Sequence, residues 1–369
     1  MIDIKYAKDC CGCSACIDVC PQKCIEQIVD KDGFIRPRVN VNDCIDCHLC
    51  ENVCPEKHTV KKKYTDRRLY SAFHKNEDTR RKGSSGAIFA ALAEYVIAKE
   101  GCVFGAAFDE NLTLKHKKAE KLEELTPLMR SKYLQSNTLG IFTQVKEELK
   151  KDRLVVFVGT PCQVNAVYNF ISTSLRKKLI LVDFICHGVP SQSFFDKSIK
   201  YYQKRNDLVI KNVEFHTKYR GNYHSFRLTC IKNNGDKVIR QGTYTEFPFY
   251  RAFKKYIILR DSCYHCKHTG EDRTSDITIG DFWGINRIAN ISQDEFSKGY
   301  SEVIINSDKG FRLFSEIKDV LQINEFAIEN AGCSNPSYLR CIKEGYSKKV
   351  FRIFNRYLPY YITEKILLK

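Results

Sequence analysis

Two cysteine ladders constrain this chain more than any other feature. Cys10, Cys13, Cys16 and Cys20 follow the spacing C-x2-C-x2-C-x3-C, and Pro21 comes next. Cys44, Cys47, Cys50 and Cys54 repeat that spacing, and Pro55 comes next. Three thiols at two-residue gaps let a tight loop wrap one metal cluster corner by corner. The fourth thiol starts a helix and leans away from its own loop, toward the cluster of the other copy. Zinc sites usually use C-x2-C pairs with longer gaps, which sets zinc aside for these eight residues.

The run is that of a bacterial-type ferredoxin holding two 4Fe–4S clusters. Cluster one is expected on Cys10, Cys13, Cys16 and Cys54, and cluster two on Cys44, Cys47, Cys50 and Cys20. Cys11 and Cys24 fall outside the spacing and are expected to be small buried residues. Residues 25–41 predict two short strands around the turn Asp30–Gly33, which completes a small α+β ferredoxin domain over residues 1–60. The start of the chain has no apolar signal segment, and no run reaches about 18 apolar residues. With 18 cysteines, this places the chain in the cytoplasm, where thiols stay reduced.

Charge is divided unevenly. Residues 1–60 carry seven Lys/Arg against ten Asp/Glu, while the whole chain has a net charge of +16. An acidic head is thus joined to a basic body. No nucleic-acid recognition motif accompanies the basic body, and no nucleic-acid partner is expected. Residues 61–82 hold nine Lys/Arg against three Asp/Glu and read as a solvated basic linker.

A helix is predicted from residue 84 on, because Ile88, Leu92, Tyr95 and Val96 recur at helical spacing. It opens on Gly83, Ser84, Ser85 and Gly86, where small residues leave backbone N–H groups open to an anion. The plainer alternative is an ordinary serine cap. Residues 102–108, 154–171 and 179–190 read as buried strands alternating with a helix, the pattern of a parallel α/β sheet. Ligands of such sheets sit at the carboxyl ends of strands. Cys162 and Cys186 lie just past two such ends. With the pair Cys263 and Cys266 they make four thiols, which suits either a third 4Fe–4S cluster or an all-cysteine zinc site. Cys102, Cys230, Cys333 and Cys341 are expected to be packing residues.

The segments SSGAIFAALAEYVI, GTPCQ, VDFICHGVPS, SCYHCKH and SDITIGDFWG occur in that order. Together they resemble the coenzyme F420 hydrogenase/dehydrogenase beta-subunit family, in the form fused to an N-terminal two-cluster ferredoxin domain. The resemblance covers about residues 1–300. It implies FAD in the central domain, with a further iron–sulfur cluster beside it. Gly83, Ser84, Ser85 and Gly86 then become a flavin phosphate site. Ser131, Lys132, Tyr133, Gln135 and Ser136 of the segment SKYLQS are placed near the flavin. Cys162, Cys186, Cys263 and Cys266 become ligands of a third 4Fe–4S cluster. Relatives often have a third glycine or serine near residues 83–87, where this chain has Ala87.

The expected architecture is therefore a ferredoxin domain (1–60), a basic linker (61–82), a flavin-binding α/β domain with a mostly parallel sheet (83–190 and 191–320), and a helical basic tail (321–369). The expected function is an iron–sulfur flavoprotein oxidoreductase. It would draw electrons from a donor protein or reduced ferredoxin and deliver them to an unidentified small-molecule acceptor, a deazaflavin or a surface-polysaccharide intermediate. The latter setting is implied by the resemblance alone. The alternative is a non-catalytic electron-transfer subunit. His187 and Asp281 follow strand-like segments and are the expected proton-handling residues, whereas Asp183, inside an apolar strand, could equally be structural. In the tail, Val350, Phe354, Tyr357 and Tyr361 share one helical face and Lys349, Arg352 and Arg356 another. That pattern offers peripheral membrane contact, with packing on the body as the alternative.

Overall fold

The computed structural model describes residues 1–221, 224–333 and 335–367. Its head is built from two matching halves. Each ladder ends in a one-turn helix, Ala15–Asp18 and Leu49–Asn52, and each is entered through a left-handed residue, Ser14 at φ 59° and His48 at φ 58°. Strands β1 (Ile25–Val29) and β2 (Ile35–Val39) pair antiparallel. The Asp30 carboxylate closes their turn by accepting from the N–H groups of Asp32 and Phe34 at 2.9 and 3.0 Å.

The body is an eight-stranded sheet. Its strands are β3 (Arg68–His74), β4 (Cys102–Phe108), β5 (Leu114–Ala119), β6 (Val155–Gly159) and β7 (Leu179–Phe184), and later β11 (Ile277–Asp281), β12 (Ser301–Ile305) and β13 (Leu321–Phe326). The spatial order is β13-β3-β12-β11-β7-β6-β4-β5. The expected parallel pairing holds for the centre, β11-β7-β6-β4. Antiparallel partners are added on both flanks, so that β3, β4, β6, β7 and β11 all run the same way.

Two boundaries differ from the sequence reading. Residues 61–82 are not a free linker, because β3 lies inside the sheet with Leu69, Tyr70, Ser71 and Ala72 buried. Its basic first residue is accommodated by stacking over Phe311, 4.1 Å from the ring centroid. The tail is not helical throughout either. Its first residues are β13, and the helices are Tyr346–Tyr357 and Tyr360–Leu367. Leu368 and Lys369 lie outside the described residues.

Alternation along the central strands gives the sheet two apolar faces. Val103, Val156, Ile180 and Val182 point to one, under the helices Ile88–Ala98 and Asp308–Glu316. Cys102, Phe104, Phe157 and Leu181 point to the other, under the helices Ile141–Lys150 and Pro161–Phe170. The ferredoxin head packs on this second face through Cys11, Cys13, Ala15 and Val53. Between β7 and β11 the chain forms a separate antiparallel sheet of β8 (Leu208–Phe215), β9 (Ser225–Lys232) and β10 (Lys237–Thr243). An aromatic core containing Phe195, Phe215, Phe226, Phe247 and Phe249 holds it against helices Gln192–Asn206 and Pro248–Lys254.

The tail helix docks by its buried face. Phe351 packs edge-on against Phe194 at 5.2 Å, and Lys348 is buried against Asp261 at 2.6 Å. Arg352 pairs with Asp261 at 2.8 Å, and both Arg356 donors grip Asp32 of the head hairpin at 2.6 Å. Two of the three basic residues assigned to a lipid-facing surface are therefore engaged within the protein. Ile353, Tyr357 and Tyr361 remain exposed. No helix among the described residues is long and apolar enough to cross a membrane.

Candidate functional site

The cysteines gather in three places. One small cavity in the head is lined by Cys10, Cys13, Cys16 and Cys54, together with Cys11. A second is lined by Cys20, Cys44, Cys47 and Cys50, together with Cys24. In each set the fourth thiol comes from the other ladder, as the spacing predicts. In the second set Cys47 is exposed, Cys20 and Cys44 are half-buried and Cys50 is buried, whereas in the first Cys10, Cys13 and Cys54 are buried and Cys16 is half-buried.

The third group joins Cys162, at the start of the helix after β6, to Cys186 after β7 and to Cys263 and Cys266 of a short helical loop. Their thiols are close enough to perturb one another. Burial pushes Cys263 up to about 12, with Cys162 adding to it. Burial and the neighbouring thiols Cys263, Cys162 and Cys266 raise Cys186 far above its ordinary value. Burial and mutual repulsion favour the neutral form of these thiols, and among the described residues no group of three or more His, Cys, Asp or Glu side chains is arranged to hold a single metal ion.

Cys11 is buried, as expected of a spare cysteine, but its position is informative. Its thiol contacts both Cys13 of the head and Cys162 of the body. Cys24 is likewise buried, 3.5 Å from Cys20. Cys102 and Cys230 are fully buried, whereas Cys333 is exposed and Cys341 partly so. The packing role expected of Cys333 is therefore not met.

At the carboxyl ends of β4, β6, β7 and β11 lies a cavity of about 240 Å³, roofed by the insert that carries the second sheet. Gly83, Ser84 and Ser85 line it, as do Ser131, Lys132, Tyr133 and Ser136. The two stretches are stitched together: the Ser131 N–H donates to the Ser84 hydroxyl at 2.7 Å, and the two hydroxyls are 3.0 Å apart. The helix begins at Ile88 and not at Ser84, with Ala87 in the left-handed region at φ 63°. Ala87, Ile88, Phe89 and Ala90 at its start line the cavity, and a helix N-terminus is where an anion is favoured.

Two expected contributors, Gly86 and Gln135, have other roles. Gly86 does not line the cavity. Its N–H donates to Ser301 Oγ at 2.9 Å, and a Cβ there would sit 2.1 Å from the Ala72 carbonyl, so glycine is needed for close approach to β3. Arg80, upstream, is buried, bonding the Gly299 carbonyl and Glu295. Gln135 also turns away from the cavity. Its amide donates to the carbonyls of Cys11 and Gly12 at 2.9 and 3.1 Å, clamping the first ladder.

His187 and Asp281 both reach the cavity. The His187 imidazole is hydrogen-bonded to Ser337 at 3.0 Å and stacks near Trp283 and Tyr256. Burial, with Lys254 nearby, lowers it to about 4. Asp281 ends β11, 3.5 Å from the His216 imidazole. Asp183 is structural: it is fully buried, paired with Arg273 at 3.0 Å and bonded by Thr278 at 2.6 Å. Burial brings Lys132 down to about 7, with Arg130 adding to the effect.

Lys254 and Tyr256 also line the cavity and were not legible as site residues, because no local motif surrounds them; Trp283 joins them from the segment SDITIGDFWG, where the sequence singles out Asp281 and not the indole. The lining as a whole offers a helix N-terminus and the half-buried lysines Lys132 and Lys254 for an anion, and aromatic walls for a planar ring. These residues fit a flavin nucleotide. Cys186 belongs to the cavity wall as well as to the third thiol group, so that the two share a residue.

Residues 152–330 match the family profile that describes the C terminus of the coenzyme F420 hydrogenase/dehydrogenase beta subunit. Residues 9–58 match the 4Fe-4S dicluster domain. No curated protein matches the chain. Among solved structures, it is similar to a chain of the xenon-derivatised F420-reducing NiFe hydrogenase complex from Methanosarcina barkeri. The two are 17% identical, with a TM-score of 0.46, over 83% of this chain and 92% of that one.

Proposed function

Because residues 152–330 match the C-terminal model of the coenzyme F420 hydrogenase/dehydrogenase beta subunit and residues 9–58 match a 4Fe-4S dicluster domain, we propose that the chain is an iron–sulfur flavoprotein oxidoreductase. One observation carries the proposal. The three thiol groups form a connected series, from exposed Cys47, through the buried first set and the Cys11–Cys162 contact, to Cys186 in the cavity wall. When bound, clusters supply single-electron transfer and a flavin supplies the change to two-electron chemistry.

The roles of this chain's own residues follow. Cys10, Cys13, Cys16 and Cys54 hold one cluster, Cys20, Cys44, Cys47 and Cys50 a second, and Cys162, Cys186, Cys263 and Cys266 a third. The 83–85 turn and the start of the helix at Ile88 take the flavin phosphates, with Lys132 as countercharge. Tyr133, Tyr256 and Trp283 exclude water from the cavity. His187 and Asp281 hold or move the proton that accompanies reduction of a small-molecule acceptor. The donor is a redox protein meeting the exposed second set.

Anaerobic purification followed by iron, sulfide and flavin analysis tests this reading. The expected result is about twelve iron atoms and one flavin per chain, from three four-iron clusters. About eight iron and one zinc would remove the third cluster, and absence of flavin would remove the enzyme reading. In the alternative reading the chain is non-catalytic and feeds a separate enzyme, and the family's own beta-subunit description favours it. Stable isolation of the flavin-bearing chain with turnover of a dye or deazaflavin acceptor would count against that alternative.

A further inference from the structure

Arg260 is the largest fully buried side chain among the described residues. Its Nε and Nη2 donate to Gln135 Oε1 at 2.9 and 2.8 Å, its Nη1 to the Cys10 carbonyl at 3.1 Å, and its Nη2 to the Ile35 carbonyl at 2.8 Å. The guanidinium lies over the Phe34 ring, 4.8 Å from its centroid. Every acceptor is neutral, and among the described residues no carboxylate pairs with it. A buried guanidinium without a countercharge is costly. The missing negative charge is available on both sides. The Cys10 loop belongs to the first thiol set, and Cys263, whose N–H donates to the Arg260 carbonyl at 3.1 Å, belongs to the third.

We propose that Arg260 is a positioning and charge-compensating residue for the cluster on Cys10, Cys13, Cys16 and Cys54, and that it raises the reduction potential of that cluster. The inference rests on the iron–sulfur reading of the head. Reduction adds one electron and one negative charge to the cluster, and no bond is made or broken. A fixed cation beside the ligand loop stabilises the reduced form more than the oxidised one, and net charge is among the main determinants of cluster potential. The location gives the effect a use. This set lies between the exposed second set and the body, so a higher potential draws electrons inward from the outer cluster.

The test is an EPR-monitored redox titration of the full-length holoprotein, with iron content measured alongside. Arg260→Gln is expected to lower the reduction equilibrium of one head signal at least tenfold, which is 59 mV for a one-electron couple. The other head signal should stay in place, because the contacts of Arg260 run to the Cys10–Gly12 loop. Arg260→Lys keeps the charge without the fork, and should keep full iron with a potential within threefold of wild type. That result supports the proposal even if Arg260→Gln fails to retain the cluster. Arg260→Gln titrating like wild type would overturn it, as would Arg260→Lys falling as far as Arg260→Gln. Absence of head iron in the wild type would instead remove the reading on which the inference rests.

Discussion

The Cys11 thiol touches the Cys162 thiol across the boundary between head and body. Cys11 falls outside the ladder spacing, and Cys162 belongs to the group of four later thiols. The contact sets Cys11 beside the four later thiols, one more than the four that a four-iron cluster takes, and places it between the first and third thiol groups. Cys11→Ala is accordingly expected to retain full iron, whereas Cys162→Ser should lose about four iron atoms per chain. Loss of iron in Cys11→Ala with retention in Cys162→Ser would reverse the two assignments.

Gly12 sits under the clamp formed by Arg260 and Gln135. Its φ is +69°, and a Cβ there would lie 2.5 Å from both Arg260 Nη2 and Gln135 Nε2. Neither neighbour can retreat, since both are buried and bonded to the ladder carbonyls. Gly12→Ala therefore combines left-handed strain with overpacking, a cost of about 2–4 kcal/mol. Thermal unfolding of the anaerobic holoprotein should show a clear fall in Tm, and an unchanged Tm would mean that the head is not held by this clamp.

The parts legible in the sequence are those whose cause is local. Ladder spacing fixes which thiols share a loop, and the continuous apolar runs of β4, β6 and β7 read directly as buried strands. The strand β3 is hidden because a seven-residue segment lies within a basic run, and its partners β12 and β13 come more than 200 residues later. Arg260 is hidden for a related reason. Its acceptors are two backbone carbonyls and an amide oxygen, none of which leaves a residue-type signature. Gln135 was legible as part of a family segment, but the segment serves two purposes: Lys132 and Tyr133 face the cavity while Gln135 holds the head.

The tail helix is expected to contribute to folding through Phe351. This ring is buried against Phe194, in the core that also supports the second sheet. Phe351→Ala should cost about 3–5 kcal/mol, measured by denaturant unfolding. Tyr357→Ala, on the exposed face of the same helix, should stay within about 0.5 kcal/mol of wild type. Equal effects from the two changes would contradict the docked geometry.

Lys132 should give the cavity an anion affinity that depends on pH. Burial holds its ammonium at about 7, with Arg130 adding to the lowering and Glu214 opposing it, against an ordinary value of 10.5. The charged form that attracts phosphate is therefore present below about pH 7 and is lost as pH rises through it. FAD binding to flavin-free protein, followed by fluorescence quenching, should weaken roughly tenfold between pH 7 and 8.5. Stability of the flavin-free protein should move the other way. Between about 7 and 10.5 the unfolded chain holds a proton at this lysine that the folded chain has released, so the Lys132 contribution to folding improves as pH rises. Lys132→Met should weaken FAD binding at pH 6 and flatten its pH profile. A wild-type profile that is already flat would show that the phosphates lie elsewhere in the cavity.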